Sequence, residues 1–67
     1  MASISVSLDR NADRHDVKLL KRELDTLPGV TSVSVSSGGQ LAVDYDATGV
    51  RQADILEKIQ ALGYQVR

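Results

Sequence analysis

Residues 27–45 read Leu-Pro-Gly-Val-Thr-Ser-Val-Ser-Val-Ser-Ser-Gly-Gly-Gln-Leu-Ala-Val-Asp-Tyr, and they hold the pattern that decides the fold. Pro28 disfavours helix at the residue before it and Gly29 readily supplies a turn, so a helix arriving from the N-terminal side ends at about Leu27. Val33 and Val35, interleaved with Ser32, Ser34 and Ser36, alternate at period two, as a strand with one buried and one wet face does. Ser37-Gly38-Gly39 turns the chain back, and Leu41, Val43 and Tyr45 continue the alternation on the return. A helix followed by a β-hairpin is therefore the centre of the chain.

Upstream of this stretch, Val17, Leu20, Leu24 and Leu27 fall at helical spacing, with Lys18, Lys21, Arg22, Glu23 and Asp25 on the other sides. A polar segment from Asp9 to Asp16 precedes that amphipathic helix, and before it Ile4, Val6 and Leu8 alternate with Ser3, Ser5 and Ser7 as a first strand. Downstream, Asp46-Ala47-Thr48-Gly49 reads as a loop. Ile55, Ile59 and Leu62, with Ala53 and Leu56 beside them, mark a second helix closed by Gly63, and Tyr64 and Val66 fit a short last strand. The order βαββαβ predicts an α+β, ferredoxin-like sandwich in which a four-stranded antiparallel sheet carries both helices on one face. The opposite face is expected to present Ser3, Ser5, Ser7, Ser32, Ser34, Ser36, Gln40, Ala42 and Asp44, a small, polar and almost uncharged surface.

The chain of 67 residues supports one core, so residues 1–67 are expected to form a single domain. Its 42% hydrophobic and 25% charged residues, with a net charge of -1, are those of a soluble globular protein. Near-neutral charge provides no field that would draw in nucleic acid or an anionic membrane. The N-terminus has neither the basic start nor the apolar run of a signal peptide or membrane span, and the expected location is the cytoplasm. There is no cysteine, which removes disulfides, thiolate metal sites and a cysteine nucleophile together.

Many unrelated functions use the βαββαβ arrangement, so its use here has to be read from sites. An RNA-recognition module needs aromatic rings on the open sheet face, whereas this chain has no Phe or Trp, and both tyrosines fall at core-facing positions. The arginine-bearing phosphate loop of acylphosphatases, which share the topology, is not recognisable. No nucleophile stands beside a general base and no carboxylate pair lies in an apolar setting, so the expectation is a protein that is not an enzyme.

Four pieces, Leu27-Pro28-Gly29-Val30, Val33-Ser34-Val35, Val43-Asp44-Tyr45-Asp46, and Gly63-Tyr64 preceded by Ile55 and Ile59, occur in an order and at a spacing that resemble the heavy-metal-associated domains. That family includes copper chaperones and the N-terminal domains of metal-pumping ATPases. The resemblance spans nearly the whole chain and implies the same fold. It also implies a Gly-Met-x-Cys-x-x-Cys loop between the first strand and first helix, binding and passing on Cu(I) or another soft ion. In this sequence the corresponding segment is Arg10-Asn11-Ala12-Asp13-Arg14-His15-Asp16, which places Asp13 and Asp16 where the cysteines would stand. A soft ion needs sulfur ligands, so the departure falls on the functional element itself.

Two readings of Asp13, His15 and Asp16 follow. Two carboxylates and an imidazole on one loop can bind a divalent ion such as zinc, nickel or cobalt, although residues at i, i+2 and i+3 of a helix start are expected to point in different directions. Equally, Asp13 can cap the helix while Asp16 places negative charge in its first turn, with His15 a solvated surface residue. Arg14, Lys18, Lys21 and Arg22 lie along one flank of the same helix. They are either a solvated face countered by Glu23 and Asp25 or, as the resemblance implies, a docking surface for an acidic protein domain such as that of a metal-transporting ATPase. Tyr64 aligns with an aromatic residue that the family places near the metal loop and also fits as a core residue. Asp44, Asp46 and Asp54 read as strand-edge, turn and helix-start residues. The expected function is thus a metal-handling domain with weak or altered metal binding. The alternative is an interaction module, including one that forms the N-terminal piece of a longer transport protein.

Overall fold

The computed structural model describes residues Met1–Arg67. Strand β1 spans Ala2–Ser7, helix α1 Arg14–Asp25, β2 Val30–Val35, β3 Gln40–Tyr45 and helix α2 Gln52–Ala61. The strands form one antiparallel sheet in the order β1-β3-β2. Ile4 and Val33 both pair with Val43, which puts the inward-facing residues of all three strands in register.

Period-two alternation is realised most fully in β3, where Leu41, Val43 and Tyr45 are buried and Gln40, Ala42 and Asp44 are exposed. With Ile4 and Val6 they form the sheet side of a core whose helical side is Leu20 and Leu24 of α1 and Ile55 and Ile59 of α2. Those four helix residues have no exposed surface, and burying each contributes roughly 1.5–3 kcal/mol. Leu19, Leu27, Leu56 and Leu62 close the margins. Val17 is half-buried and lies outside this cluster, and Ala53 is exposed, so each helix is anchored by a narrower stripe than its apolar residues suggest. The serine-rich face is open to water as expected, with only Ser7 half-buried.

The expected fourth strand is not formed. After Gly63, which turns with φ 96°, the chain meets β1's end through a single antiparallel bridge between Leu8 and Val66. The Asp9 N–H donates to the Gln65 carbonyl at 3.0 Å and the Arg67 N–H to the Ser7 carbonyl at 2.7 Å. Only residues 65–67 run beside β1, too few for a ladder, and the sheet is three-stranded. Tyr64 and Val66 nonetheless face inward as their alternation requires, the first buried and the second packed at the core's edge.

Two turns set the ends of the sheet. Gly29 adopts φ 94°, and its carbonyl accepts the Asp46 N–H at 2.7 Å, joining the loop after α1 to the loop after β3. Thr31 is the extra residue where the β2–β3 register shifts, and its hydroxyl donates to the Asp44 carbonyl at 3.0 Å. At the other end Gly39 has φ 85°, and a Cβ there would collide with the Arg10 carbonyl oxygen. Gly39→Ala is therefore expected to lower stability by about 2–4 kcal/mol in urea unfolding. The neighbouring Gly38→Ala, whose Cβ would find nothing nearer than 3.9 Å, should stay within about 0.5 kcal/mol.

Candidate functional site

The segment between β1 and α1 is held on three sides by backbone hydrogen bonds. The Leu8 N–H donates to the Gly39 carbonyl at 2.7 Å, the Ala12 N–H to the Ser37 carbonyl at 3.1 Å, and Asp9 is bonded to Gln65. Ala12 is buried, whereas Arg10 and Asn11 face water. Helix α1 then starts with a reciprocal capping box. The Asp16 N–H donates to Oδ1 of Asp13 at 2.9 Å, and the Asp13 N–H donates to Oδ2 of Asp16 at 3.2 Å. Two otherwise orphaned amides are satisfied, and both carboxylates lie where the helix dipole favours negative charge. Both aspartates are thus structural groups in the metal-free protein.

The same geometry brings the candidate ligands together. Asp13, His15 and Asp16 offer one ligand atom each, all within 4.8 Å of one another. The divergence expected from their spacing does not occur, because Asp13 is not helical: with φ -85° and ψ -178° it is extended, and its side chain folds back over the first turn. Ligand atoms about 2.1 Å from a tetrahedral zinc ion stand about 3.4 Å apart, so the trio must contract to close on an ion. Each carboxylate keeps free lone pairs beyond its cap bond, and water completes a site that has three protein ligands.

Behind this trio lie Tyr64, which the resemblance places near the loop, and Arg10, which carries no signal in the sequence. Tyr64, only 4% exposed, lies under the helix start, and its hydroxyl donates to Oδ1 of Asp16 at 2.5 Å. The Arg10 guanidinium sits over the face of the Tyr64 ring, with its carbon 4.7 Å from the ring centroid. Tyr64 is therefore both a core residue and a residue of the loop. The Tyr64 hydroxyl and the Asp13 backbone N–H hold the Asp16 carboxyl below the usual carboxylate range, with the charge of Arg10 adding to them. Burial, the hydrogen bond to Asp16 and the charge of Asp16 push the Tyr64 hydroxyl up to about 12. Forty-eight residues separate Asp16 from Tyr64; the one sequence signal for their meeting is the family resemblance at the tyrosine.

Arg14, Lys18, Lys21 and Arg22 are all exposed on α1. Arg22 reaches Glu23 at 3.4 Å, and Glu23 also takes Lys58 of α2 at 3.6 Å. Arg14, Lys18 and Lys21 form no ion pair within the chain, and Asp25 counters none of them. Asp54 is the helix-start residue expected, bonded to the Arg51 N–H at 3.1 Å and to its guanidinium at 3.2 Å. Asp46 is the turn residue expected, accepting from the Thr48 N–H at 3.0 Å.

Residues 12–65 match the profile of the heavy-metal-associated domain family. No curated protein matches the sequence. Among solved structures, a CopZ metallochaperone superimposes with a TM-score of 0.91 at 25% identity, covering 98% of this chain and 100% of that one. The copper-binding domain of HMA7, a P-type ATPase, gives 0.90 at 24% identity, with 100% and 92% covered. Oxidized MerP from Ralstonia metallidurans CH34 gives 0.87 at 16% identity, with 98% and 93% covered. The last two likenesses concern the fold. No helix of the chain is long and apolar enough to cross a membrane.

The pairing of Tyr64 with Asp16 has a pH signature of known sign. A hydroxyl raised from 10.0 to about 12 contributes stability that is present below pH 10 and lost as pH rises towards 12. A depressed carboxyl contributes above its unfolded value of about 3.9 and is lost as pH falls below it. Melting temperatures measured across both ranges should fall at each end in the native protein, and Tyr64→Phe should make the alkaline fall shallower and the acid fall only partly so, since Asp46 and Asp54 are also depressed carboxyls.

Proposed function

The chain belongs to the heavy-metal-associated domain family, and from that premise we propose that it is a non-enzymatic metal-handling domain that has exchanged the family's soft-ion cargo for a weakly held divalent ion. The observation that carries this reading is the convergence of Asp13, His15 and Asp16 within 4.8 Å on the loop before α1. Carboxylate and imidazole donors suit Zn(II), Ni(II) or Co(II), whereas Cu(I) prefers the sulfur that the loop lacks. Zinc is the simplest fit, with Asp13, His15 and Asp16 as ligands and water in the remaining position. Affinity is low for a physical reason. Binding draws on carboxylates that already cap the helix and accept the Tyr64 hydroxyl, so part of the gain is offset by weakening those bonds.

A second reading is favoured by the unpaired cations of α1. Arg14, Lys18 and Lys21 project from the helix without an intramolecular carboxylate, and Arg22 flanks them. Such a stripe suits electrostatic docking of an acidic protein domain, such as the cytosolic domain of a metal-transporting ATPase. Docking of that kind weakens as salt shortens the Debye length to about 8 Å at 0.15 M.

Backbone NMR titration of the metal-free protein distinguishes these readings. With Zn(II), Ni(II) or Co(II), shifts confined to residues 10–17 are expected, and Cu(I) should produce none. His15→Ala should abolish the response. Asp13→Asn, which keeps the cap, should weaken it by at least about tenfold, the loss that removal of even an outer partner of a metal ligand brings. Flat titrations with every ion would refute the metal reading. Salt-sensitive shifts at Lys18 and Lys21 with an acidic ATPase domain, lost in a Lys18→Glu, Lys21→Glu double variant, would then identify docking as the function.

A further inference from the structure

Arg10, outside the ligand set, lies on the loop with its side chain over Tyr64, the residue bonded to Asp16. Its backbone has little freedom. Leu8 and Ala12 on either side are bonded to Gly39 and Ser37 of the hairpin, Asp9 is bonded to Gln65, and the Arg10 carbonyl lies against Gly39 so closely that only glycine fits there. From this fixed base the guanidinium stacks on the Tyr64 ring with 4.7 Å between its carbon and the ring centroid. The hydroxyl of that same ring is bonded to Asp16. The ring therefore links the guanidinium on its face to the carboxylate at its hydroxyl edge, and Arg10 forms no direct ion pair with any carboxylate, Asp13 and Asp16 included.

The charge arithmetic of the loop gives this stack a meaning. Asp13 and Asp16 contribute two negative charges, and Arg10 contributes one positive charge held by an aromatic face. A cation thus already stands one aromatic ring away from the Asp16 carboxylate in the metal-free protein. A divalent ion entering between Asp13, His15 and Asp16 would meet repulsion from Arg10 and would compete with it for the field of Asp16. A flexible surface lysine would swing away at little cost. Arg10 is held by stacking, and a planar guanidinium suits that contact better than an ammonium does.

We infer that Arg10 is a built-in counter-ion that regulates the loop, occupying the electrostatic place of a metal ion and keeping the affinity of Asp13, His15 and Asp16 low until a divalent ion displaces it. This inference rests on the metal reading for its ligand, but it assigns the role to a residue outside the ligand set. It makes metal entry and release of the Arg10 side chain two sides of one exchange, so ion binding at the helix start would free the cation and expose the Tyr64 ring.

Zinc titrations of the native protein, Arg10→Gln and Arg14→Gln test it, with calorimetry for affinity and NMR for the side chains. Arg10→Gln should bind Zn(II) about five- to tenfold more tightly, at the low end of couplings between sites. Arg14→Gln, which removes an equal charge from the same segment but no stacked contact, should gain less. In the native protein the Arg10 side-chain protons should show upfield ring-current shifts that disappear in Tyr64→Leu and on saturation with zinc. Equal affinities in native and Arg10→Gln protein would overturn the inference while leaving the metal site standing, and so would equal gains in the two arginine variants. Zinc binding by Arg10→Gln alone would support it while refuting metal handling by the native chain. If no variant binds zinc, the metal reading fails. The counter-ion role is then decided by amide exchange of residues 10–17, which Arg10→Gln should accelerate and which, if unchanged, overturns it.

Discussion

The register of β3 against both of its neighbours is the constraint on which the rest of the molecule depends. Val43 is paired on one side with Ile4 and on the other with Val33, and it has no exposed surface. A slip of one residue in either ladder would exchange an entire apolar row for serines, because successive side chains of a strand point to opposite faces. That register delivers the ends of the strands to fixed heights. At one end the loops around Gly29 and Asp46 are joined. At the other, the β2–β3 hairpin becomes the backstop against which the segment before α1 is bonded through Gly39 and Ser37. The candidate site is positioned by the sheet even though none of its residues belongs to a strand.

Under the proposed function the same groups at that site would serve two purposes. Asp13 and Asp16 terminate the helix by satisfying each other's amides, and they are also two of the three groups able to hold an ion. In a loop ending in two cysteines, metal binding and helix capping can be divided between different groups. Here they would compete, because a carboxylate that accepts a backbone N–H is a good cap and a diminished ligand. Tyr64 would sharpen the competition from below by donating its hydroxyl to Asp16, and Arg10 from the side by supplying a cation. The carboxylates have hydrogen-bond partners within the chain itself, which gives physical content to the departure from the heavy-metal-associated domain family that the chain belongs to.

The distribution of charge around this loop is equally uneven. The open sheet face carries almost no charge, and the chain's two tyrosines are turned inward, so that face offers neither stacking nor electrostatic attraction to a nucleic acid. Charge is concentrated on α1, where Arg14, Lys18 and Lys21 have no internal partner, whereas Glu23 of the same helix is shared between Arg22 and Lys58 and helps tie the two helices together. The helix that begins at the candidate metal loop is thus also the helix that presents free cations. An ion bound at its N-terminus would alter the potential that a partner meets along its flank.

Much of this is legible in the amino-acid order because it is written in interactions within a few residues. Polar and apolar residues alternating at period two define β1, β2 and β3. Leu-Pro-Gly-Val ends α1, and Asp13 with Asp16 three residues on spells out the capping box by spacing alone. The resemblance carried by Leu27–Val30 and Gly63-Tyr64 supplies the architecture on the same local grounds. Three features lie beyond the periodic pattern, and two of them are decided only by tertiary structure. The last strand shrinks to one bridge at Leu8 and Val66, since pairing there depends on how residues after Gly63 meet β1. Asp13, His15 and Asp16 converge because Asp13 is extended by its bonds to the helix, which a helical spacing rule does not describe. Arg10, Tyr64 and Asp16 are assembled from opposite ends of the chain by burial of the tyrosine ring in a core built by every element. Periodicity and capping act over three or four residues and can be read from order alone, whereas a contact spanning forty-eight residues exists only once the packed core has set where each chain end lies.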